Sequence, residues 1–118
     1  MGRGRSVALV SDDLMFASQL QAAMRRAHGT FALVVGDAVP NAATVFVDLN
    51  AAADKRIELI GRLRQAKPEL DIVGFCHHDE RELRRSALAA GATRVVNNGA
   101  LQAVALRLAG VNVGDTPR

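Results

Sequence analysis

The chain has 118 residues, which is enough for one domain with a substantial core and too few for two. Hydrophobic residues make up 49% and charged residues 23% of the sequence, as in ordinary globular proteins, and no apolar run is long enough to span a bilayer. Aromatic residues make up only 3%, so the chain lacks the stacking platforms that single-stranded nucleic acids need.

The charge of the chain does not favour nucleic acid as a partner. The formal net charge is +3, and part of the excess lies in the basic residues 1–5, which we interpret as a tail. The other Arg and Lys residues are mixed with acids, as on a solvated surface. The single cysteine, Cys76, cannot form an internal disulfide, which fits a reducing cytoplasm. We therefore expect a cytoplasmic protein that binds neither a membrane nor nucleic acid.

Strands and helices alternate along the predicted chain. Apolar, β-favouring runs predict strands at residues 7–10, 31–35, 45–47, 72–75 and 94–96. Apolar residues at helical spacing predict helices at residues 13–28, 54–67, 80–90 and 101–109. This alternation predicts a parallel sheet with right-handed crossovers and helices on both faces.

The segment at residues 36–44 breaks the alternation. It is short and contains Pro40, so it cannot hold a proper crossover helix between the second and third strands. The second helix of the fold is therefore predicted to be shortened or absent.

The helix at residues 54–67 is expected to turn Arg56, Arg62 and Arg64 outward.

Other residues mark the predicted ends of helices. Asp12 or Asp13 can cap the first helix, and Gly29 can take the left-handed position at its end. Asp79 is expected to cap the helix at residues 80–90.

Acidic residues follow two of the predicted strands. Asp12 and Asp13 come after the first strand, and Asp48 comes directly after the third. If these strands are parallel neighbours, the three carboxylates converge at one edge of the sheet, where hard oxygen ligands suit Mg²⁺. The alternative is that Asp12 and Asp13 only cap a helix, which an acid stabilises without a metal.

Three motifs resemble the response-regulator receiver domains of bacterial signalling. Residues 8–13 (ALVSDD) resemble the opening of that domain, residues 45–50 (VFVDLN) its phosphoacceptor strand, and residues 91–98 (GATRVVNN) its Gly-Ala turn and fifth strand. The resemblance implies an α/β, flavodoxin-like, doubly wound sheet of five parallel strands in the order 2-1-3-4-5. It places the domain at residues 6–109, between the tail at residues 1–5 and a second tail at residues 110–118.

The resemblance also implies roles for individual residues. Asp48 would be the phosphoacceptor, with Asp12 and Asp13 as metal ligands. Asp48 itself and the Asn50 carbonyl would complete the site for a weakly bound Mg²⁺.

Three positions depart from the pattern of the family. Asn98 stands where receivers have a lysine, Cys76 where they have a serine or threonine, and Val95 where they have the switch aromatic. An amide forms weaker hydrogen bonds to a phosphoryl group than an ammonium does, and a thiol is a weak donor. We therefore expect a degenerate receiver, or pseudo-receiver, in which Asp48 is phosphorylated weakly or not at all.

Such a domain would act by contact with a partner protein, either a histidine kinase or a downstream signalling protein, and not as an enzyme. One alternative is a conventional Mg²⁺-dependent phosphoacceptor regulator of a single domain. A second is a small-ligand or nucleotide-binding flavodoxin-like domain, although the first turn lacks a glycine-rich phosphate loop. The sequence leaves the oligomeric state open.

Overall fold

The strands and helices alternate in the computed structural model, which describes residues 6–108. The elements are β1 Ser6–Val10, α1 Leu14–Arg26, β2 Thr30–Val34, β3 Thr44–Asp48, α2 Ala53–Ala66, β4 Asp71–Cys76, α3 Arg81–Ala90, β5 Arg94–Asn97 and α4 Leu101–Leu108. The predicted tails, and residue 109 at the end of the last predicted helix, lie outside the described residues. None of the helices within residues 6–108 has the length and apolar content to cross a membrane.

The strands form one parallel sheet in the order β2-β1-β3-β4-β5. β1 pairs with β2 on one side and with β3 on the other, so that Val10 lies between Val34 and Val47. The predicted fold class, a doubly wound flavodoxin-like sheet, is confirmed. From β1 the chain adds β2 on one side of the sheet and then β3 on the other, so the order of strand addition reverses between β1 and β3. The ligand sites of such sheets lie at that point, beyond the carboxyl ends of the strands.

The core consists of two apolar clusters, one on each face of the sheet. Alternate strand residues such as Leu9 and Phe46 point towards α1 and α4, while their neighbours such as Val10 and Val47 point towards α2 and α3. The central strands β1, β3 and β4 are buried almost throughout, whereas the edge strands β2 and β5 are partly exposed. Continuous apolar runs are typical of strands that are covered on both faces.

The chain has no helix between β2 and β3, as predicted. Val39 and Ala42 of the connecting segment pack against the cluster on the α2 and α3 face and cover part of it. The Ala43 N–H donates to both the carbonyl and the hydroxyl of Ser6, at 3.1 and 2.8 Å, which fixes the start of β3 beside β1.

The start of α1 agrees with the prediction, and its end does not. Asp13 is the N-cap, and its carboxylate accepts a hydrogen bond from the Met15 N–H at 2.8 Å. At the other end His28, with φ 58°, takes the left-handed position that the sequence assigned to Gly29. Gly29 lies one residue further on, where its N–H donates to the Met24 carbonyl at 2.7 Å, as in a Schellman motif.

The predicted cap of α3 is wrong. Asp79 lies in a turn that the Glu80 N–H closes by donating to the His77 carbonyl at 3.3 Å. This turn shifts the start of the helix beyond Asp79, so that Glu80 becomes the N-cap, with no capping hydrogen bond from its side chain.

Candidate functional site

The strands end at what we call the carboxyl edge, formed by residues 11–13, 35–36, 48–50, 76–77 and 97–98. Asp48 ends β3 there and is only 3% exposed. One carboxylate oxygen, Oδ2, accepts a hydrogen bond from the Ser11 hydroxyl at 2.6 Å. The other, Oδ1, accepts hydrogen bonds from the backbone N–H and the side-chain amide of Asn50, at 2.9 and 2.7 Å. A buried carboxylate needs such donors, and here all three are neutral groups.

Ser11 also belongs to the site, although it was not predicted to do so. It is fully buried, and its N–H donates to the Val34 carbonyl at 3.1 Å, which ties it to the end of β2. Its hydroxyl also accepts a hydrogen bond from the Asp13 N–H at 2.9 Å. The signal that could have found it is its position directly after β1, the strand that neighbours the one ending in Asp48.

Asn50 and Asn98 form a reciprocal pair of side-chain amides. Each donates to the oxygen of the other, at 3.0 and 3.1 Å, and this links the end of β3 to the turn after β5. The structure thus brings Asn98 to the site, beside Asn50. The pair is neutral, so it adds hydrogen-bonding groups beside Asp48 without adding a positive charge.

Asp12 and Asp13 lie at the same edge but have separate partners. Asp13 caps α1, and Asp12, whose side chain is 65% exposed, lies 3.5 Å from the Arg56 guanidinium. Within residues 6–108, no three His, Cys, Asp or Glu side chains are placed to hold a metal ion together. These contacts do not fit a preformed magnesium site of Asp12, Asp13, Asp48 and Asn50, and metal binding by this set stays a prediction.

Arg56 is buried, contrary to its predicted outward position. The residue is 6% exposed, and its guanidinium donates to the Asp48 carbonyl at 2.9 Å and to the Val10 carbonyl at 3.3 Å. The start of α2 lies over the ends of β1 and β3. Their carbonyl oxygens supply the partners without which a buried guanidinium would be costly.

Cys76 ends β4 and is fully buried in the cluster beneath α2 and α3. Burial raises the pKa of its thiol, and this effect outweighs the lowering by the Arg84 guanidinium; Glu80 and Asp79 also raise it. A thiol that is held protonated is a poor nucleophile.

Val95 packs half-buried against the same cluster as Cys76, and its carbonyl accepts a hydrogen bond from Arg84 at 3.1 Å. The role of Val95 as a replacement for the switch aromatic stays a prediction.

An open cleft of about 420 Å³ lies between α2 and α3 and leads to the carboxyl edge. Its lining includes Asn50, Cys76 and three acids, Asp54, Glu80 and Glu82. An anionic ligand such as a nucleotide would face these carboxylates, which disfavours it electrostatically.

No family model and no curated protein sequence matches the chain, but solved structures do. The receiver domain of the TMAO respiratory response regulator TorR is 18% identical, with a TM-score of 0.76, and the match covers 88% of this chain and 92% of that domain. A CheY-like protein, TadZ, from Pseudomonas aeruginosa PAO1 is 21% identical, with a TM-score of 0.71 and coverage of 94% and 97%.

The receiver domain of NtrX from Brucella abortus is 18% identical, with a TM-score of 0.68 and coverage of 88% and 98%. The match to a longer NtrX chain covers 27% of that chain. The similarity to receivers that the three sequence motifs predicted is thus confirmed at the level of the fold, and this chain has the fold of response-regulator receiver domains.

Proposed function

We propose that the protein is an atypical receiver-like domain of two-component or phosphorelay signalling that acts in the cytoplasm by contact with a partner protein. In this proposal, phosphorylation of Asp48 is weak or absent. The observation that carries it is that the hydrogen bonds to the buried Asp48 carboxylate come from neutral donors, the Ser11 hydroxyl and the two N–H groups of Asn50. An aspartyl phosphate would add negative charge where Asn98 offers only an amide, and hydrogen bonds to charged donors are roughly twice as strong.

Exposed apolar side chains at and directly beside the carboxyl edge support the contact part of the proposal. Leu14 and Met15, at the start of α1, are 72% and 63% exposed, and Val35, directly after β2, is 68% exposed. The end of β2 is joined to the end of β1 by the hydrogen bond from the Ser11 N–H to the Val34 carbonyl. Apolar groups of this kind are buried when proteins associate. The partner would be a histidine kinase or a downstream signalling protein.

Intact mass spectrometry tests the phosphorylation part. The protein is incubated with Mg²⁺ and acetyl phosphate and compared with the Asp48→Asn variant. We expect at most a minor phosphate adduct on the wild type. A complete adduct that disappears in Asp48→Asn would refute this part of the proposal.

Binding measurements test the contact part. Purified histidine kinases and output proteins of the same source are presented one by one to the immobilised domain. We expect one of them to bind the wild type and Asp48→Asn with equal affinity, and to bind Met15→Asp at least about tenfold more weakly, because a charge replaces a desolvated apolar contact. Leu88→Asp, at another exposed apolar position (49%), on α3, is the matched control. A partner that binds only after phosphodonor treatment would contradict this model.

The second candidate is a conventional phosphoacceptor regulator, and one observation favours it. The Ser11 hydroxyl and the Asn50 and Asn98 amides gather donors around Asp48 that could also bind phosphoryl oxygens. The mass measurement separates the two candidates, because a conventional regulator gives the full adduct.

A further inference from the structure

Arg56 occupies an unusual position for a cation. It lies in the first turn of α2, where the helix dipole disfavours positive charge, and it is nevertheless 6% exposed. Three contacts offset this cost: the carbonyls of Asp48 and Val10, at 2.9 and 3.3 Å, and the carboxylate of Asp12, at 3.5 Å. The guanidinium therefore lies in a specific site, which supplies acceptors from two strands and one carboxylate.

One of these acceptors, Asp12, is also among the metal ligands that the resemblance implies. The implied ligands also include the Asp48 carboxylate, but the guanidinium contacts Asp48 through its backbone carbonyl. We propose that Arg56 is the internal cation of the carboxyl edge: it holds the end of β1, the end of β3 and Asp12 together, so that the edge is assembled without Mg²⁺.

The proposal has a direct consequence for metal binding. Mg²⁺ at Asp12 would either lie beside the guanidinium, where like charges repel, or displace it from Asp12 and leave a buried charge without its carboxylate partner. Arg56 is thus a positioning residue that also suppresses divalent-metal binding. The inference follows from the contacts of Arg56 and does not depend on partner binding, but it opposes the Mg²⁺-dependent phosphorylation of the second candidate.

A magnesium titration of the wild-type protein, followed by the NMR shifts of backbone amides, is the first test. We expect the amides of residues 11–13 and 48–50 to show no saturable shift at Mg²⁺ concentrations well above those of a cell. A saturable shift centred on Asp12 and Asp48 would overturn the proposal. This experiment needs no variant.

Substitution of Arg56 is the second test. Arg56→Gln removes the charge and should raise Mg²⁺ affinity at least about tenfold, because the repulsion is gone. Arg56→Lys keeps the charge and should leave the affinity low. Arg62→Gln is the matched control: it removes the same charge from an exposed position on α2, where the partner is Asp37 at 3.6 Å, and should not change metal affinity.

Circular dichroism first establishes that each variant is folded. An Arg56→Gln protein that is folded and binds Mg²⁺ no better than the wild type would refute the proposal. If that variant does not fold, the wild-type titration decides the question alone.

Discussion

Asp48 depends on its neighbours in a way that stability measurements can detect. Its carboxylate is buried, and one of its two oxygens relies on a single side chain, the Ser11 hydroxyl. The same hydroxyl accepts the hydrogen bond from the Asp13 N–H at the start of α1. Ser11 therefore connects the acidic end of β3 to the helix that follows β1.

Replacing Ser11 with alanine should lower the free energy of unfolding by about 1–3 kcal/mol, because a buried carboxylate and a backbone N–H each lose a partner. Urea denaturation measures this change. Ser18→Ala, at an exposed position on α1, is the control and should change stability by about 0.5 kcal/mol or less. Equal stability of the two variants would show that the hydrogen bond to Asp48 contributes nothing.

Cys76 gives a prediction about pH. Burial raises the pKa of its thiol above the ordinary value of 9.0, so the unfolded chain releases this proton at a lower pH than the folded chain. The stability that the thiol contributes is therefore complete below pH 9.0 and is lost as the pH rises towards the folded value. The free energy of unfolding should fall more steeply above pH 9.0 in the wild type than in Cys76→Ala, by at most about 1.4 kcal/mol per pH unit. Urea denaturation at each pH measures these free energies. If the free energy of unfolding fell equally with pH in the wild type and in Cys76→Ala, the raised pKa of Cys76 would be contradicted.

At the scale of elements, Gly91 and Arg64 join α2 to the turn between α3 and β5. The Arg64 side chain donates to the Gly91 carbonyl at 2.8 Å and to the Thr93 hydroxyl at 3.0 Å. Gly91 has φ +126°, and a Cβ added there would lie 2.7 Å from the Cβ of Arg64. The backbone conformation and the close approach both require glycine.

Gly91→Ala should therefore lower the free energy of unfolding by about 2–4 kcal/mol, from backbone strain together with overpacking. Gly36→Ala is the matched control, because an added Cβ there meets nothing within 4 Å, and its effect should stay within about 0.5 kcal/mol. Thermal and urea unfolding of both variants measures the difference. A mild effect at Gly91 would mean that Arg64 and the turn can shift apart.

The sequence predicts best those elements whose burial is evident from the apolar residues within the element itself. The apolar runs of β1, β3 and β4 are covered on both faces, so their composition alone identifies them. Pro40 and the shortness of its segment were sufficient to predict the missing crossover helix. Helix ends were harder, because the turn that displaces Asp79 from the cap of α3 is set by a backbone hydrogen bond that no residue pattern encodes.

The candidate site, too, contains residues that the sequence predicts and residues that it does not. Parallel strands bring Asp12, Asp48 and Asn98 to one edge, and strand order predicts that much. Arg56 was not predictable, because an arginine on an amphipathic helix is normally exposed. Its burial here depends on the Asp48 carbonyl, 8 residues away, and on the Val10 carbonyl, 46 residues away. Ser11 was overlooked for a similar reason, since its partner Asp48 is 37 residues away.

At the scale of the whole molecule, the sheet is covered unequally, and this should determine where the protein opens first. The strands β1, β3 and β4 are buried almost throughout, β2 and β5 are partly exposed, and residues 35–43 cover part of one face without a helix. Local opening is expected where backbone hydrogen bonds are exposed and buried apolar contacts are few.

Backbone amides of residues 35–39 and 41 should therefore exchange with solvent deuterium at least about a hundredfold faster than those of β3, which are released only by global unfolding. β2 and β5 should fall between the two. Hydrogen exchange followed by mass spectrometry or NMR measures these rates, each divided by the rate of the same residue in an unstructured peptide. If residues 35–39 and 41 exchanged as slowly as β3, this segment would be held as firmly as a packed helix, and the contacts of Val39 and Ala42 with the core would fully replace the missing element.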